Sequence, residues 1–112
     1  MLQIVPWWYT LVMQLTAQDI AKIVERVLVD YDVEKAYLFG SFARGESDES
    51  SDVDLRLVCG SSMTFGLLHD MVERLEVELG RRVEIVTNPP ERMRPAFRKR
   101  IEKDEVLLYE AA

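Results

Sequence analysis

One α/β or α+β domain is predicted for this 112-residue chain, because its apolar residues alternate between the spacing of helices and the spacing of strands. A chain of this length can build one two-layer core and is too short for a second. Apolar residues make up 48% of the chain and charged residues 30%, which excludes disordered, collagen-like and coiled-coil compositions. One cysteine, Cys59, and one histidine, His69, exclude a disulfide framework and a metal site built on a histidine pair.

The first two predicted elements are a helix and a strand. Thr16 and Asp19 have the spacing of a capping box, and apolar residues recur at helical intervals after them, so a helix is expected over about 17–30. The short apolar run 36–39 ends at Gly40 and is typical of a buried strand.

A turn, a loop, a second strand and a second helix follow. Residues 41–44 are expected to form a short connection or helical turn, and the Ser-rich, acidic stretch 45–52 a loop. Alternating apolar residues predict a strand over 53–59. Apolar residues at helical spacing predict a helix over 65–79, and Gly80 stands where that helix should stop.

The last part of the chain predicts a strand, a basic helix and a final strand. The strand is expected over 83–87, because an apolar run ends there at the Asn-Pro-Pro sequence 88–90. The basic helix is expected within 91–103, interrupted or started again at Pro95. Residues 106–109 are expected to form the final strand.

The N-terminal stretch 1–15 is set apart from the predicted domain, residues 16–112, by crowded apolar residues without charge, including Trp7 and Trp8. It is either an exposed arm that contacts a partner or an upstream extension that is not native, since Met13 could be an alternative start. The stretch is too interrupted to span a bilayer and lacks the features of a signal peptide. We therefore expect no membrane association and a cytoplasmic chain with a reduced thiol.

The net charge of −6 is distributed unevenly along the chain. Residues 81–103 carry 8 basic and 3 acidic side chains, whereas residues 1–80 carry 6 basic and 14 acidic ones. This basic segment is either a solvated helix or a contact surface for a phosphate-bearing ligand or an acidic partner. Apart from Phe97 it lacks the stacking aromatics of an RNA surface, and the rest of the chain is acidic, so nucleic acid is not the predicted partner.

Residues that can carry chemistry are concentrated around two predicted strands. Gly40-Ser41 follows the first strand, where glycine lets the backbone approach a ligand and the next N–H groups can face phosphate oxygens. Asp52 and Asp54 are two positions apart, so their side chains point the same way along a strand. Their hard oxygen ligands suit Mg²⁺ or Mn²⁺ bound together with substrate phosphates.

Glu84 is the third carboxylate of interest, on the strand Val83-Glu84-Ile85-Val86. Its apolar neighbours predict a buried strand, where a charge is costly unless it is paired or bound to a metal. If this strand lies beside Asp52 and Asp54, three carboxylates converge in the layout of a two-metal site. Taken singly, each feature has an ordinary structural reading: a turn, two solvated carboxylates and an edge-strand charge.

The combined pattern resembles the nucleotidyltransferase superfamily related to DNA polymerase β. The segments Gly-Ser-Phe-Ala-Arg-Gly-Glu (40–46) and Ser-Asp-Val-Asp-Leu (51–55) are similar to those of minimal nucleotidyltransferases (MNT proteins), which occur beside genes for HEPN-domain proteins. The resemblance covers about residues 16–110. It implies a small mixed sheet of about four strands with helices packed on it, and Mg²⁺-dependent transfer of a nucleotide from a nucleoside triphosphate.

The resemblance also implies roles for individual residues. Gly40 and Ser41 would hold the β- and γ-phosphates, and Arg44 would steady the triphosphate. Asp52 and Asp54 would ligate two Mg²⁺ ions, with Mn²⁺ as a substitute.

Glu84 would complete the metal site and assist deprotonation of the acceptor hydroxyl. The family often has aspartate there, and the longer glutamate changes the geometry of this ligand.

The function implied by the resemblance is that of an antitoxin acting on a HEPN ribonuclease toxin. It would transfer AMP from ATP to a tyrosine hydroxyl of that partner. Two alternatives stay open: neutralisation of the toxin by binding alone, and transfer to a small acceptor such as an aminoglycoside. Pairing through an edge strand or through the Trp7-Trp8 arm would also allow homodimers when no partner is present.

Overall fold

The fold is a four-stranded mixed sheet with helices packed on it, seen in a computed structural model that describes residues 15–112. The strand order is β3-β2-β1-β4, in which β2 and β3 are parallel and the other two pairs are antiparallel. The elements in chain order are α1 (Ala17–Leu28), β1 (Val33–Phe39), α2 (Ser41–Arg44), β2 (Val53–Cys59), α3 (Phe65–Leu79), β3 (Val83–Val86), a 3₁₀ turn (Pro90–Arg92), α4 (Pro95–Asp104) and β4 (Val106–Glu110). This confirms the predicted fold class.

Three helix boundaries have local causes in the sequence. The Thr16 hydroxyl accepts a hydrogen bond from the Asp19 N–H and the Asp19 carboxylate accepts one from the Thr16 N–H, both at 3.0 Å, which completes the capping box of α1. Thr64 caps α3 by accepting from the Leu67 N–H at 3.1 Å. Gly80 ends α3 at a φ of 67°, a left-handed conformation that favours glycine.

The two faces of the sheet differ because successive strand residues point to opposite sides. One face of β1 and β2 points toward α1 and α3. Its side chains are at most 1% exposed: Ala36, Leu38, Leu55 and Leu57. Each of these helices directs an apolar face onto this layer, so the main core lies on one side of the sheet. The side chains of the alternate residues of β2 lie on the opposite face.

Two predicted features differ substantially from the structure. The first strand begins three residues earlier than expected, at Val33, because its start pairs with Cys59 at the end of β2. The prediction that Glu84 lies on a buried strand is wrong: β3 is one of the two edge strands of the described sheet, and Glu84 is exposed. The basic helix predicted within 91–103, interrupted or started again at Pro95, is confirmed: a 3₁₀ turn comes first, and α4 starts at Pro95.

The predicted N-terminal extension, residues 1–15, lies outside the described residues except for Leu15, which packs partly against the core. The division into an extension and a domain therefore stays a prediction. None of the helices within residues 15–112 combines the length and the apolar composition of a membrane-spanning segment.

Candidate active site

The candidate site is formed where the end of β1 meets the first residues of β2 and β3. Because β1 and β2 are antiparallel, Phe39 at the end of β1 is the register partner of Asp54 near the start of β2. Because β2 and β3 are parallel, Asp54 is also the register partner of Glu84. The three residues therefore lie in one row across the sheet, on the face opposite the main core.

Gly40 allows the turn after β1 to come directly against Asp54. Its φ of 78° lies in the left-handed region, where a residue with a side chain is strained. A methyl group at this position would also overlap the Oδ2 atom and crowd the carboxyl carbon of Asp54. Glycine is therefore required twice here, by the backbone conformation and by the close approach of the carboxylate. Ser41, the next residue, begins α2 and is half-buried.

The carboxyl group of Asp54 is the electrostatically unusual group of the site. Burial, followed by the charge and hydrogen bonding of Glu84 and the charge of Asp52, raises the pKa of Asp54 to about 6. Arg44 opposes this shift and does not cancel it. A carboxyl group crowded by two others is a typical feature of a functional site, because a bound cation would relieve the repulsion.

These residues surround a cavity of about 350 Å³. Of the predicted site residues, five line it: Gly40, Ser41, Arg44, Asp54 and Glu84. Asp52 does not line the cavity, although its charge is close enough to affect Asp54. The structure thus brings the Gly-Ser turn and two of the three carboxylates to one place.

Arg44 is already held by carboxylates. Its Nε atom donates to Glu46 at 3.0 Å and its Nη1 atom donates to Asp104 at 2.9 Å. Hydrogen bonds to Glu46 first and Asp104 second raise the pKa of Arg44 above its usual value. Its guanidinium is therefore partly neutralised before any ligand arrives.

The carboxylates suit a divalent cation by their chemistry. Asp52, Asp54 and Glu84 offer hard oxygen ligands, and the raised pKa of Asp54 reports a repulsion that a cation would offset. Within residues 15–112, however, no three His, Cys, Asp or Glu side chains form a ready-made metal-ligating group. The three carboxylates therefore fit a divalent cation by their chemistry. In the described residues they are not gathered into one three-carboxylate centre.

Residues of α4 complete the cavity and were not among the predicted site residues. Phe97, Arg100, Ile101 and Asp104 all line it. The sequence signal for this helix is the basic segment 81–103, which predicts either a solvated helix or a contact surface for a phosphate-bearing ligand or an acidic partner. Periodicity alone could not place this helix beside the Gly-Ser turn, because the contact depends on the tertiary fold.

A second cavity of about 350 Å³ lies at the opposite end of β2. It is lined by Cys59, Gly60, Met63, Thr64, Phe65, Leu68 and Thr87. None of these residues is a carboxylate or a cation, so this second cavity lacks the groups that phosphate and metal chemistry requires.

Comparison with known families gives a match over most of the chain. A family described as Polymerase beta, Nucleotidyltransferase matches residues 19–112. The chain is 34% identical over 95 residues to a Methanocaldococcus jannaschii protein named "putative protein adenylyltransferase", an alignment that covers 82% of this chain and 92% of the relative. A second protein of that name from the same organism is 32% identical over 69 residues, covering 62% of this chain and 74% of the relative.

Solved structures share the fold. A protein described as a "putative minimal nucleotidyltransferase" is 28% identical with a TM-score of 0.63, covering 77% of this chain and 86% of that one. A chain from the complex of a tri-AMPylated Shewanella oneidensis HEPN toxin with an MNT antitoxin has a TM-score of 0.57 at 17% identity, covering 84% and 73%. At that identity the second likeness extends to the fold alone.

Proposed function

Because the chain belongs to the polymerase β nucleotidyltransferase family, we propose that it transfers AMP from ATP to a tyrosine hydroxyl of a HEPN-family ribonuclease toxin and so acts as an antitoxin. The observation that carries the proposal is the Asp54–Glu84 register pair beside the Gly40 turn, inside a cavity. Two relatives named protein adenylyltransferases support a protein acceptor. The HEPN toxin complex among the structural neighbours supports the class of partner.

The reaction transfers a nucleotidyl group between two oxygens. The acceptor oxygen forms a bond to the α-phosphorus of ATP, the bond from that phosphorus to the β-phosphate oxygen breaks, and pyrophosphate leaves. Such a step depends on positioning and charge neutralisation more than on covalent catalysis. A site of carboxylates, a Gly-Ser turn and no histidine or cysteine nucleophile suits it.

The chain's own residues would divide this work. Gly40 and Ser41 would hold the phosphates against the turn. Asp52, Asp54 and Glu84 would hold two Mg²⁺ ions, or Mn²⁺ in their place, which would neutralise charge on the phosphates. A carboxylate of this set, with Glu84 as our choice, would accept the proton of the attacking hydroxyl.

An intact-mass spectrum of the HEPN partner tests the proposal. The partner is incubated with this protein and Mg-ATP, beside a control that carries Asp52→Asn and Asp54→Asn. We expect a mass gain of one or more AMP units with the wild-type protein and none with the control. No mass gain, with a tight complex still forming, would contradict transfer.

Neutralisation by binding alone is the second candidate. It is favoured by glutamate at position 84, where the family often has the shorter aspartate. In that case the Asp52→Asn, Asp54→Asn protein would inhibit the toxin as strongly as the wild-type protein does. Loss of inhibition with retention of binding would favour catalysis.

A homodimer of the isolated protein is a further part of the proposal. β4 is the other edge of the described sheet, and Val106 and Leu107 on it are each 47% exposed. Apolar side chains on an unpaired edge favour strand pairing between copies. Light scattering of the protein alone and with its partner would measure whether such dimers form and dissociate.

A further inference from the structure

Arg100 differs from Arg44, the other cation that lines the candidate active site. Arg44 is bound by Glu46 and Asp104, so its charge is already engaged. In the part of the chain that the structure describes, no carboxylate forms a salt bridge with Arg100, and its side chain is exposed. Arg100 is therefore the lining cation that has charge available for a ligand.

Aromatic contacts hold Arg100 beside the Gly-Ser turn. Its guanidinium carbon lies 5.6 Å from the centre of the Phe97 ring, within the range of a cation–π contact. Phe97 in turn meets Phe39 edge to face, with ring centres 5.9 Å apart and an interplanar angle of 84°. Phe39 is the residue before Gly40. Ile101, which is 1% exposed, packs α4 against the rest of the domain.

Most of the other charges that line the cavity are carboxylates or are already paired. The charges of Asp104 and Arg44 offset each other in a salt bridge. The remaining charged groups of the lining are the carboxylates of Asp54 and Glu84 on the sheet and the guanidinium of Arg100 on α4. Carboxylates attract a metal ion and repel a bare triphosphate, so the phosphates remote from the metal need a separate positive group. A guanidinium can bind phosphate oxygens through two parallel N–H donors.

We propose that Arg100 binds the terminal phosphates of the nucleoside triphosphate and makes the site select triphosphates over monophosphates. Phe97 is a positioning residue that holds the guanidinium over the cavity. The inference rests on the proposed function, because it assigns the triphosphate-binding cation of that same site. It also places on Arg100 the role that the sequence motif suggests for Arg44.

Nucleotide affinities of variants test this assignment without relying on turnover. The dissociation constants of an ATP analogue with a methylene α,β-bridge, which cannot transfer AMP, and of AMP are measured by calorimetry with Mg²⁺. For Arg100→Ala we expect binding of the analogue to weaken about 10- to 100-fold, the usual effect of losing a charged hydrogen-bonded partner. AMP affinity should change less than about 3-fold, since AMP lacks the phosphates concerned.

Three further variants separate a specific contact from general effects. Arg100→Lys should recover part of the affinity, because it restores the charge without the paired donors. Phe97→Leu should weaken binding of the analogue about 3-fold or more, with AMP unaffected. Lys99→Ala, which removes an exposed cation of the same helix outside the cavity lining, should bind like the wild-type protein. Thermal melts confirm that every variant is folded.

The outcomes distinguish this inference from the proposed function. Unchanged affinity of Arg100→Ala for the analogue, or an equal loss for AMP, overturns the role of Arg100. If the wild-type protein transfers AMP and Arg100→Ala keeps full affinity, this inference alone fails. If the wild-type protein binds neither nucleotide, the proposed function fails with it.

Discussion

Two charged residues on the same face of β2, Asp54 and Arg56, are placed in opposite electrostatic environments. Arg56 is 7% exposed and donates to both oxygens of Glu105, at 2.9 and 3.0 Å. Its guanidinium also lies 4.3 Å from the centre of the Tyr37 ring, across the β1–β2 pair. Asp54, two residues earlier, faces Glu84 and Asp52 instead, and its pKa rises to about 6.

The comparison separates a structural charge from a functional one. The pKa of Arg56 is raised chiefly by its hydrogen bonds to Glu105, so burial of this charge is compensated within the fold. The charge of Asp54 is not compensated within the described residues, and the folded protein carries that cost. Electrostatic repulsion that remains in the free protein favours cation binding, because the bound cation removes that repulsion.

The largest expected effect is on activity at Asp54. Asp54→Asn keeps the size of the side chain and removes its charge, so it should lower AMP transfer about 1000-fold or more, by analogy with the loss of a group that stabilises a transition state. Quantitative mass spectrometry of the partner measures the rate. Glu102→Gln, which neutralises an exposed carboxylate of α4 outside the cavity lining, is the control and should leave the rate unchanged. Equal rates for the two variants would contradict a functional role for the charge of Asp54.

The next effect is on stability at Arg56. Arg56→Met should lower the free energy of unfolding by about 3 kcal/mol, because Glu105 is left largely buried without a partner. Arg74→Met is a matched control, since Arg74 pairs with Asp30 at 3.1 Å and lies 5.5 Å from the Tyr31 ring centre at an exposed site.

Urea unfolding of both variants measures the difference. The control should lose less than about 1 kcal/mol, as exposed ion pairs do. Similar losses for both would mean that burial does not distinguish the Arg56 pair from a surface pair.

A smaller effect is expected for the Gly40 turn. Gly40→Ala should cost about 2 kcal/mol, because the methyl group is strained at positive φ and also overlaps Asp54. Gly45→Ala has the same backbone strain at a φ of 73° and meets nothing within 4 Å, so it should cost about 1 kcal/mol. Thermal unfolding of the two variants isolates the contact with Asp54. A larger loss at Gly45 would contradict the close approach of that carboxylate.

The smallest effect is the pH-dependent stability of the metal-free protein. The folded pKa of Asp54 is raised above the unfolded value of 3.8, so its contribution is fully present below about pH 4 and is lost as pH rises through about 6. Asp54→Asn should therefore melt at the same temperature as the wild-type protein near pH 4. At pH 7 it should be more stable by roughly 1 kcal/mol after allowance for solvent screening, or about 4 °C.

Thermal melts in EDTA at the two pH values measure this difference. A wild-type protein that is more stable than Asp54→Asn at pH 7 would show that the Asp54 charge is compensated after all.

Local sequence was enough to predict most of the fold. The capping pair Thr16 and Asp19 starts α1, and Gly80 ends α3, because these signals act over a few residues. Apolar spacing predicted α1, α3 and the four described strands to within a few residues, since helical and strand periods differ. The resemblance of the Gly-Ser and Asp-x-Asp segments to a known family predicted the mixed sheet and the nucleotidyltransferase class, and both are confirmed.

The tertiary structure alone decided which charges meet. Glu84 lies beside Asp54 because β2 and β3 are parallel in that register, and it is exposed because it lies on an edge strand, on the face opposite the main core. Arg44 is bound by Asp104, sixty residues away in sequence, which leaves Arg100 as the available cation. Periodicity reports which face of an element is apolar, whereas a charge pair depends on how distant elements pack, so no local pattern could assign it.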